Sequence, residues 1–306
     1  MKIFMIFTGQ PCEIDCIYCK RNYYHYQNNF KSKSPEDVFN EVLEIIKNNK
    51  EDNGDLFFHL TGVGEPLMLS NIREICQIMH ENKISFLIET NGIKLKDENF
   101  LGELVRLGLK GIILTICSII EEEYRIITQS NYFEDVLIAI ENIEKFHIPL
   151  ELSIPILKQN LFTFHLIPIF LKKYYRDLNL QKVNLSLVRI NSPTHMFKEC
   201  SFRISDYSEF IEDRILYLND LGFVIDFSTS AGVFPFCFFK RLTKKFKLYN
   251  KSYIFDGMRQ KTVYCLNCFF NFSCPGPSST YLELYGDEEF KELYFSENSV
   301  YNSKIL

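Results

Sequence analysis

Thr8-Gly9-Gln10-Pro11-Cys12-Glu13-Ile14-Asp15-Cys16-Ile17-Tyr18-Cys19-Lys20 follows directly on a short apolar run, Ile3 to Phe7. Three thiols within eight residues, on a loop delivered by a strand, can converge on one soft metal centre. The spacing C-x3-C-x2-C supplies three ligands, where a tetrahedral structural zinc site or a fully ligated cubane takes four. A four-iron cluster held this way keeps one iron open. Read alone, the triplet also suits a zinc knuckle or a set of buried thiols.

The composition around the triplet narrows the class. A chain of 306 residues with 46% hydrophobic content buries a large core, enough for one barrel with a small appendage. The net charge is −5 and Lys and Arg are scattered, so the basic footprint of a nucleic-acid partner is missing. Met1 leads into a short strand-like run rather than a signal peptide, and no apolar stretch nears the roughly 20 residues that span a bilayer. The expectation is a cytoplasmic protein with no membrane or nucleic-acid partner. In that compartment ten cysteines read as metal ligands or reactive thiols rather than disulfides.

Downstream, strand and helix signals alternate. Ser34 is a candidate N-cap, followed by Pro35, acids in the first turn and a stripe of Val38, Val42, Ile45 and Ile46. Strands are predicted at 56–60, 84–88, 112–116, 150–154 and 183–190, and helices at 70–82, 97–107, 133–146 and 161–175. A last helix starts at the candidate cap Ser205 and carries Phe210, Ile211, Ile215 and Leu218 to Gly222. Six βα units with right-handed crossovers give an α/β fold, a parallel sheet forming a partial (β/α)6 barrel over residues 1–222. Residues 223–306 break the pattern and form a smaller C-terminal domain.

Ligands gather at the carboxyl ends of such strands. After the second strand come Gly62, Val63, Gly64, Glu65 and Pro66: the glycines let backbone approach a ligand, and Glu65 offers an acceptor for a cation. After the third come Glu89-Thr90-Asn91-Gly92, and after the fourth Thr115, Cys117 and Ser118, with Arg125 further on. Each alone is also an ordinary turn or, for Cys117, a buried small side chain.

In this order the motifs resemble those of the radical S-adenosylmethionine (radical SAM) superfamily, down to the aromatic Tyr18 before the third cysteine. Val63 departs from its Gly-Gly-Glu-Pro segment as an insertion between the glycines. The resemblance implies a 4Fe-4S cluster on Cys12, Cys16 and Cys19, with SAM chelating the open iron. It also implies an electron donor such as flavodoxin or ferredoxin, and a 5′-deoxyadenosyl radical that takes a substrate hydrogen. It assigns Tyr18, Gly62, Gly64, Glu65, Thr90, Asn91, Thr115 and Arg125 to the SAM pocket. Cys117, and Cys200 in the loop 191–201 with Pro193, His195 and Glu199, are candidate hydrogen-atom donors.

Beyond Gly222, two short apolar runs, 223–227 and 233–237, flank a polar turn and read as a β-hairpin ending at Cys237. Cys265, Cys268 and Cys274 follow in C-x2-C-x5-C spacing, and with Cys237 they make four thiols, enough to close a second cluster. Four thiolates equally suit structural zinc, and a further alternative leaves Cys237 a free thiol beside a cluster open to substrate. The arrangement resembles SPASM and twitch extensions, with Ser278 where a last cysteine would stand and no cysteine 9–15 residues before Gly232. It implies one auxiliary 4Fe-4S cluster.

Relatives with such extensions commonly modify peptides, and others act on sugars and aminocyclitols. The expected function is therefore modification of a ribosomally made peptide by epimerisation, crosslinking or oxidation, although the strand starting at residue 3 leaves no room for an N-terminal peptide-recognition domain. The alternatives are an epimerase or dehydrogenase of a small molecule and, in another class, a zinc-stabilised binding module.

Overall fold

The computed structural model describes residues 2–9, 11–19, 33–49, 56–62, 64–187, 198–227, 234–248, 259–266 and 268–291. Among them, seven strands form one sheet in chain order: β1 (Lys2–Phe7), β2 (Leu56–Thr61), β3 (Ser85–Thr90), β4 (Leu109–Thr115), β5 (Leu150–Ile156), β6 (Leu180–Leu187) and β7 (Ile225–Asp226). The β1–β2, β2–β3, β3–β4 and β4–β5 pairs are parallel, with Phe7 opposite Thr61, Leu60 opposite Ile88 and Thr90 opposite Leu114. Parallel neighbours need a crossover, and between β1 and β5 helices supply it: α1 (Pro35–Asn48), α2 (Ile72–Glu81), α3 (Glu98–Arg106), then α4 (Glu121–Thr128) with α5 (Phe133–Lys145); α6 (Leu166–Tyr174) follows β5, α7 (Ile204–Asp220) follows β6, and α8 (Lys240–Lys245) and α9 (Ser279–Tyr285) follow β7. This is the α/β architecture expected from the alternation of signals.

Local chemistry starts α1 where the sequence says it should. The Ser34 hydroxyl accepts from Asp37 N at 3.1 Å while the Asp37 carboxylate accepts from Ser34 N at 2.8 Å, closing a capping box ahead of Pro35. The stripe behind it, Val38, Val42 and Ile46, is buried. Strand residues alternate in the same way: Phe58, Leu60, Phe86, Ile88, Ile112, Leu114, Leu150 and Leu152 are buried. Their neighbours His59, Glu89, Ile113 and Glu151 are only half-buried, on the opposite face of the sheet.

The chain divides into two compact units, Met1–Ile154 with Leu166–Val183, and Pro155–His165 with Asn184–Leu306. In the second, aromatic rings pack edge to face, with Phe234 against Phe227 at 5.4 Å and against Phe239 at 4.6 Å. Glu212, buried on α7, accepts from Leu242 N at 2.9 Å and pairs with Arg241 at 2.5 Å. The Tyr281 hydroxyl accepts from Ile204 N at 2.8 Å and donates to Glu289.

Several expectations are corrected. The hairpin expected over 223–237 does not form in the described residues: Ile225–Asp226 joins the sheet as β7, and 236–238 make a turn that carries Cys237. Ser205 is not the cap of α7, which starts at Ile204 after Arg203; its backbone N–H donates instead to Glu289 at 3.1 Å. The helix expected from 161 begins at Leu166 because residues 161–165 form turns, with Asn160 accepting from Thr163 N and Phe164 N. Pro193 and His195 lie outside the described residues, as do Val63 and Gly232.

Candidate active site

Backbone hydrogen bonds pin the cysteine loop to three elements. Thr8 N donates to Thr61 O at 3.0 Å, Glu65 N to Pro11 O at 3.2 Å, and Asp15 N and Ile17 N to Thr128 O and Ile127 O at 3.0 and 2.9 Å. Between these anchors a tight turn, Cys19 N to Cys16 O at 2.9 Å, returns the third cysteine toward the second. Cys16 is buried, while Cys12 and Cys19 are half-buried.

Burial pushes the Cys16 thiol well above its ordinary pKa, and the charges that Cys117, Cys19 and Cys12 would carry push it further, against the Tyr18 hydrogen bond. The same surroundings raise Tyr18, burial first and then Cys16, Cys117 and Cys19. Thiolates gathered out of water are unfavourable without a cation, so the donor set suits a cationic sulfur-loving centre. Among the described residues no three of His, Cys, Asp and Glu are drawn tightly enough to hold a single metal ion. One tetrahedral ion holds sulfurs about 3.8 Å apart, whereas a cubane spreads its thiolates over separate irons and takes a wider cup.

The turn after β2 abuts this loop. Gly62 has φ +148°, and a Cβ there would lie 2.9 Å from the backbone nitrogen of Thr8. Only glycine lets the two segments approach this closely. Gly62→Ala is accordingly expected to cost about 1–3 kcal/mol and to lower the iron bound per chain, measured by urea midpoints and iron analysis.

Glu65 is 2% exposed, and its carboxylate accepts from Thr90 Oγ1 at 2.7 Å, Asn91 N at 2.8 Å and Leu67 N at 3.1 Å. Burial raises its pKa to about 7 despite these three donors. The same carboxylate clamps the turn after β2 to the turn after β3. Asn91, so held, directs its amide to the Cys12 sulfur at 3.5 Å and to Glu13 at 3.4 Å.

The remaining assigned residues scatter more. Thr115 ends β4 half-buried. Cys117 is buried in the same charge environment as Cys16, Tyr18 and Tyr124, and burial lifts its thiol to about 12. Arg125 lies at the surface on α4, in a two-pronged pair with Glu122 at 2.6 and 3.0 Å. Cys200 is fully buried in the second unit, where its carbonyl accepts from Lys158 N at 2.9 Å. Gly64 has φ +115°.

Sequence reasoning missed a polar group on the half-buried face of the sheet. Glu89 accepts from Thr61 Oγ1 at 2.7 Å and lies 3.8 Å from His59 Nε2, and Glu151 pairs with Lys182 at 3.3 Å. Burial lowers the His59 pKa, against the pull of Glu89 and Glu151. The available signal was a polar residue at alternate positions inside strands that would otherwise be apolar on both faces.

In the second unit Cys237, Cys265, Cys268 and Cys274 all line one cavity of about 280 Å³, its open mouth included. Turns wrap it: Cys268 N donates to Cys265 O at 3.1 Å and Cys274 N to Phe270 O at 2.7 Å. The Cys274 sulfur accepts from Phe236 N at 3.5 Å and Gly276 N at 3.4 Å, and Gly276 needs φ +80° with Gln260 O 2.7 Å from where a Cβ would be. Ser278 caps α9, accepting from Tyr281 N at 3.1 Å. Four thiols on one cavity wall, one already carrying N–H donors, are the donor set that a fully ligated four-iron cluster takes.

The Radical SAM superfamily sequence model matches residues 6–164. A probable GTP 3′,8-cyclase of Methanothermobacter marburgensis is 34% identical over 137 residues, 44% of this chain and 41% of that protein. A 7,8-dihydro-6-hydroxymethylpterin dimethyltransferase of Methanocaldococcus jannaschii is 30% identical over 138 residues, 44% of this chain and 26% of that one. The match thus spans less than half the length of these curated relatives. Among solved structures, native anSMEcpe with bound AdoMet and peptide shares the fold over 99% of both chains, at TM-score 0.62 and 15% identity. Streptococcus suis SuiB bound to S-adenosylmethionine does so over 92% of this chain and 73% of that one, at 0.58 and 15%.

Proposed function

The chain belongs to the radical SAM superfamily, a family of 4Fe-4S and SAM enzymes, and from that premise we propose that it modifies a ribosomally made peptide by hydrogen-atom abstraction. Cys12, Cys16 and Cys19 would hold the SAM-binding cluster, which with SAM supplies a 5′-deoxyadenosyl radical. The chain's own residues do the positioning: Glu65 fixes the Thr90–Asn91 turn, Asn91 reaches the Cys12 sulfur, and Gly62 lets backbone close over the loop. Cys237, Cys265, Cys268 and Cys274 would hold one auxiliary 4Fe-4S cluster in a C-terminal domain, residues 223–306. Anaerobic reconstitution is expected to give about eight irons per chain. Four would remove the auxiliary cluster from the account, and zinc without sulfide would favour the binding module.

The observation that carries the peptide reading is the chemistry of the half-buried face of the sheet. There Glu89, beside Thr61 and His59, offers an acceptor to the amides and amines of a peptide, while Glu151 is paired with Lys182. The peptide-bound anSMEcpe and SuiB structures with this fold support it as well. A small-molecule reading is favoured by the curated cyclase and pterin relatives. Incubating the reconstituted enzyme with SAM and reductant, and with GTP or a candidate precursor peptide in turn, separates the two: modified peptide is expected, and consumption of GTP would overturn the peptide reading. In deuterated water, epimerisation through Cys117 or another thiol puts deuterium at the modified carbon, while crosslinking or oxidation does not.

A further inference from the structure

Lys261 is the one cationic side chain on the wall of the four-thiol cavity among the described residues. It is half-buried, and its ammonium donates to the carbonyls of Asn271, at 2.6 Å, and Cys274. Two carbonyl acceptors from the loop that carries Cys268 and Cys274 fix the head in place. Its stem runs along Gly276, whose missing side chain leaves the space: a Cβ there would be 3.5 Å from Lys261 Cδ. Among the described residues its ammonium meets carbonyl oxygens rather than a carboxylate.

We infer that Lys261 is a positioning residue for charge, setting the reduction potential of the auxiliary cluster; this rests on the four-thiol reading above. Four thiolates around a cubane make an anionic centre, and reduction by one electron adds one further negative charge with no bond made or broken. A fixed ammonium beside it stabilises the reduced form more than the oxidised form and raises the potential. The Phe236 and Gly276 N–H donors on Cys274 act in the same direction. A raised potential suits a cluster that accepts an electron from a substrate radical.

The test uses the full chain with Cys12, Cys16 and Cys19 replaced by alanine, so that only the auxiliary cluster remains. Iron and sulfide are counted and the midpoint is read by paramagnetic resonance during a redox titration. Lys261→Met, which keeps the stem and removes the charge, is expected to shift the one-electron equilibrium at least tenfold toward the oxidised form, about 59 mV downward. Lys261→Arg should stay within a third of that shift. Full iron with an unchanged midpoint in Lys261→Met overturns the role of Lys261 and leaves the cluster standing. Absence of iron and sulfide before Lys261 is touched overturns the cluster itself. If Lys261→Met binds no iron, retention by Lys261→Arg supports the charge requirement, and loss from both assigns Lys261 to packing and overturns it.

Discussion

Cys16→Ala is expected to bring 5′-deoxyadenosine formation down to background, at least about a thousand-fold or roughly 4 kcal/mol in barrier. Cys16 is the buried member of the triplet, in a loop held by Asp15 and Ile17 against α4, and a Cys16/Cys117 double alanine variant checks that the neighbouring Cys117 thiol does not stand in for it. Iron per chain should fall from about eight to about four, because the four thiols of the second unit are untouched. Cys76→Ala is the control. Cys76 is equally buried, but on α2, where it contributes only packing, so its loss should leave iron and deoxyadenosine unchanged. Deoxyadenosine at the original rate from the Cys16 variant would end the case for this triplet.

The parts of this molecule that could be read from sequence are those written in one local stretch. The N-cap at Ser34, the buried stripe of α1 and the apolar cores of β2 to β5 are written in short-range signals, and the structure keeps them to within a few residues. The cysteine triplet is likewise local: its spacing is set by one loop. What depends on distant partners was hidden. Glu65 looks like an open acceptor in the chain, and becomes a clamp only because Thr90 and Asn91 come to it across the strand pair. Arg125 looks available, yet Glu122 sits one turn away on α4, a helix too short and too acidic at its start to show a clear apolar stripe. Ile225–Asp226 reads as half a hairpin because nothing local says that a sheet edge is open to it. Ser278 reads as a missing ligand, where the start of α9 needs a cap.

Glu65→Ala should destabilise the iron-free chain by on the order of 3 to 5 kcal/mol, because it strands the Thr90 hydroxyl and the Asn91 and Leu67 N–H groups where water is scarce. Glu65→Gln tests the charge separately. Its amide keeps the volume and one acceptor but sets N–H against N–H on the other side, so a smaller loss is expected. The difference between the two variants carries a pH signature. The carboxyl ionises near 4.5 in an unfolded chain and near 7 in the folded one, since burial disfavours the anion more than three donors favour it. Between those values the folded protein keeps a proton that the unfolded chain has released, so raising the pH from 4.5 to 7 lowers stability, and above about 7 the loss levels off. The drop attributable to this one group is about 3 kcal/mol. Urea midpoints at pH 5 and pH 8 should therefore differ more for the unsubstituted chain than for Glu65→Gln, in which nothing titrates at this position. Equal differences would mean that Glu65 ionises in the fold as it does in water, and the clamp would then have to be an open, hydrated contact rather than a buried one.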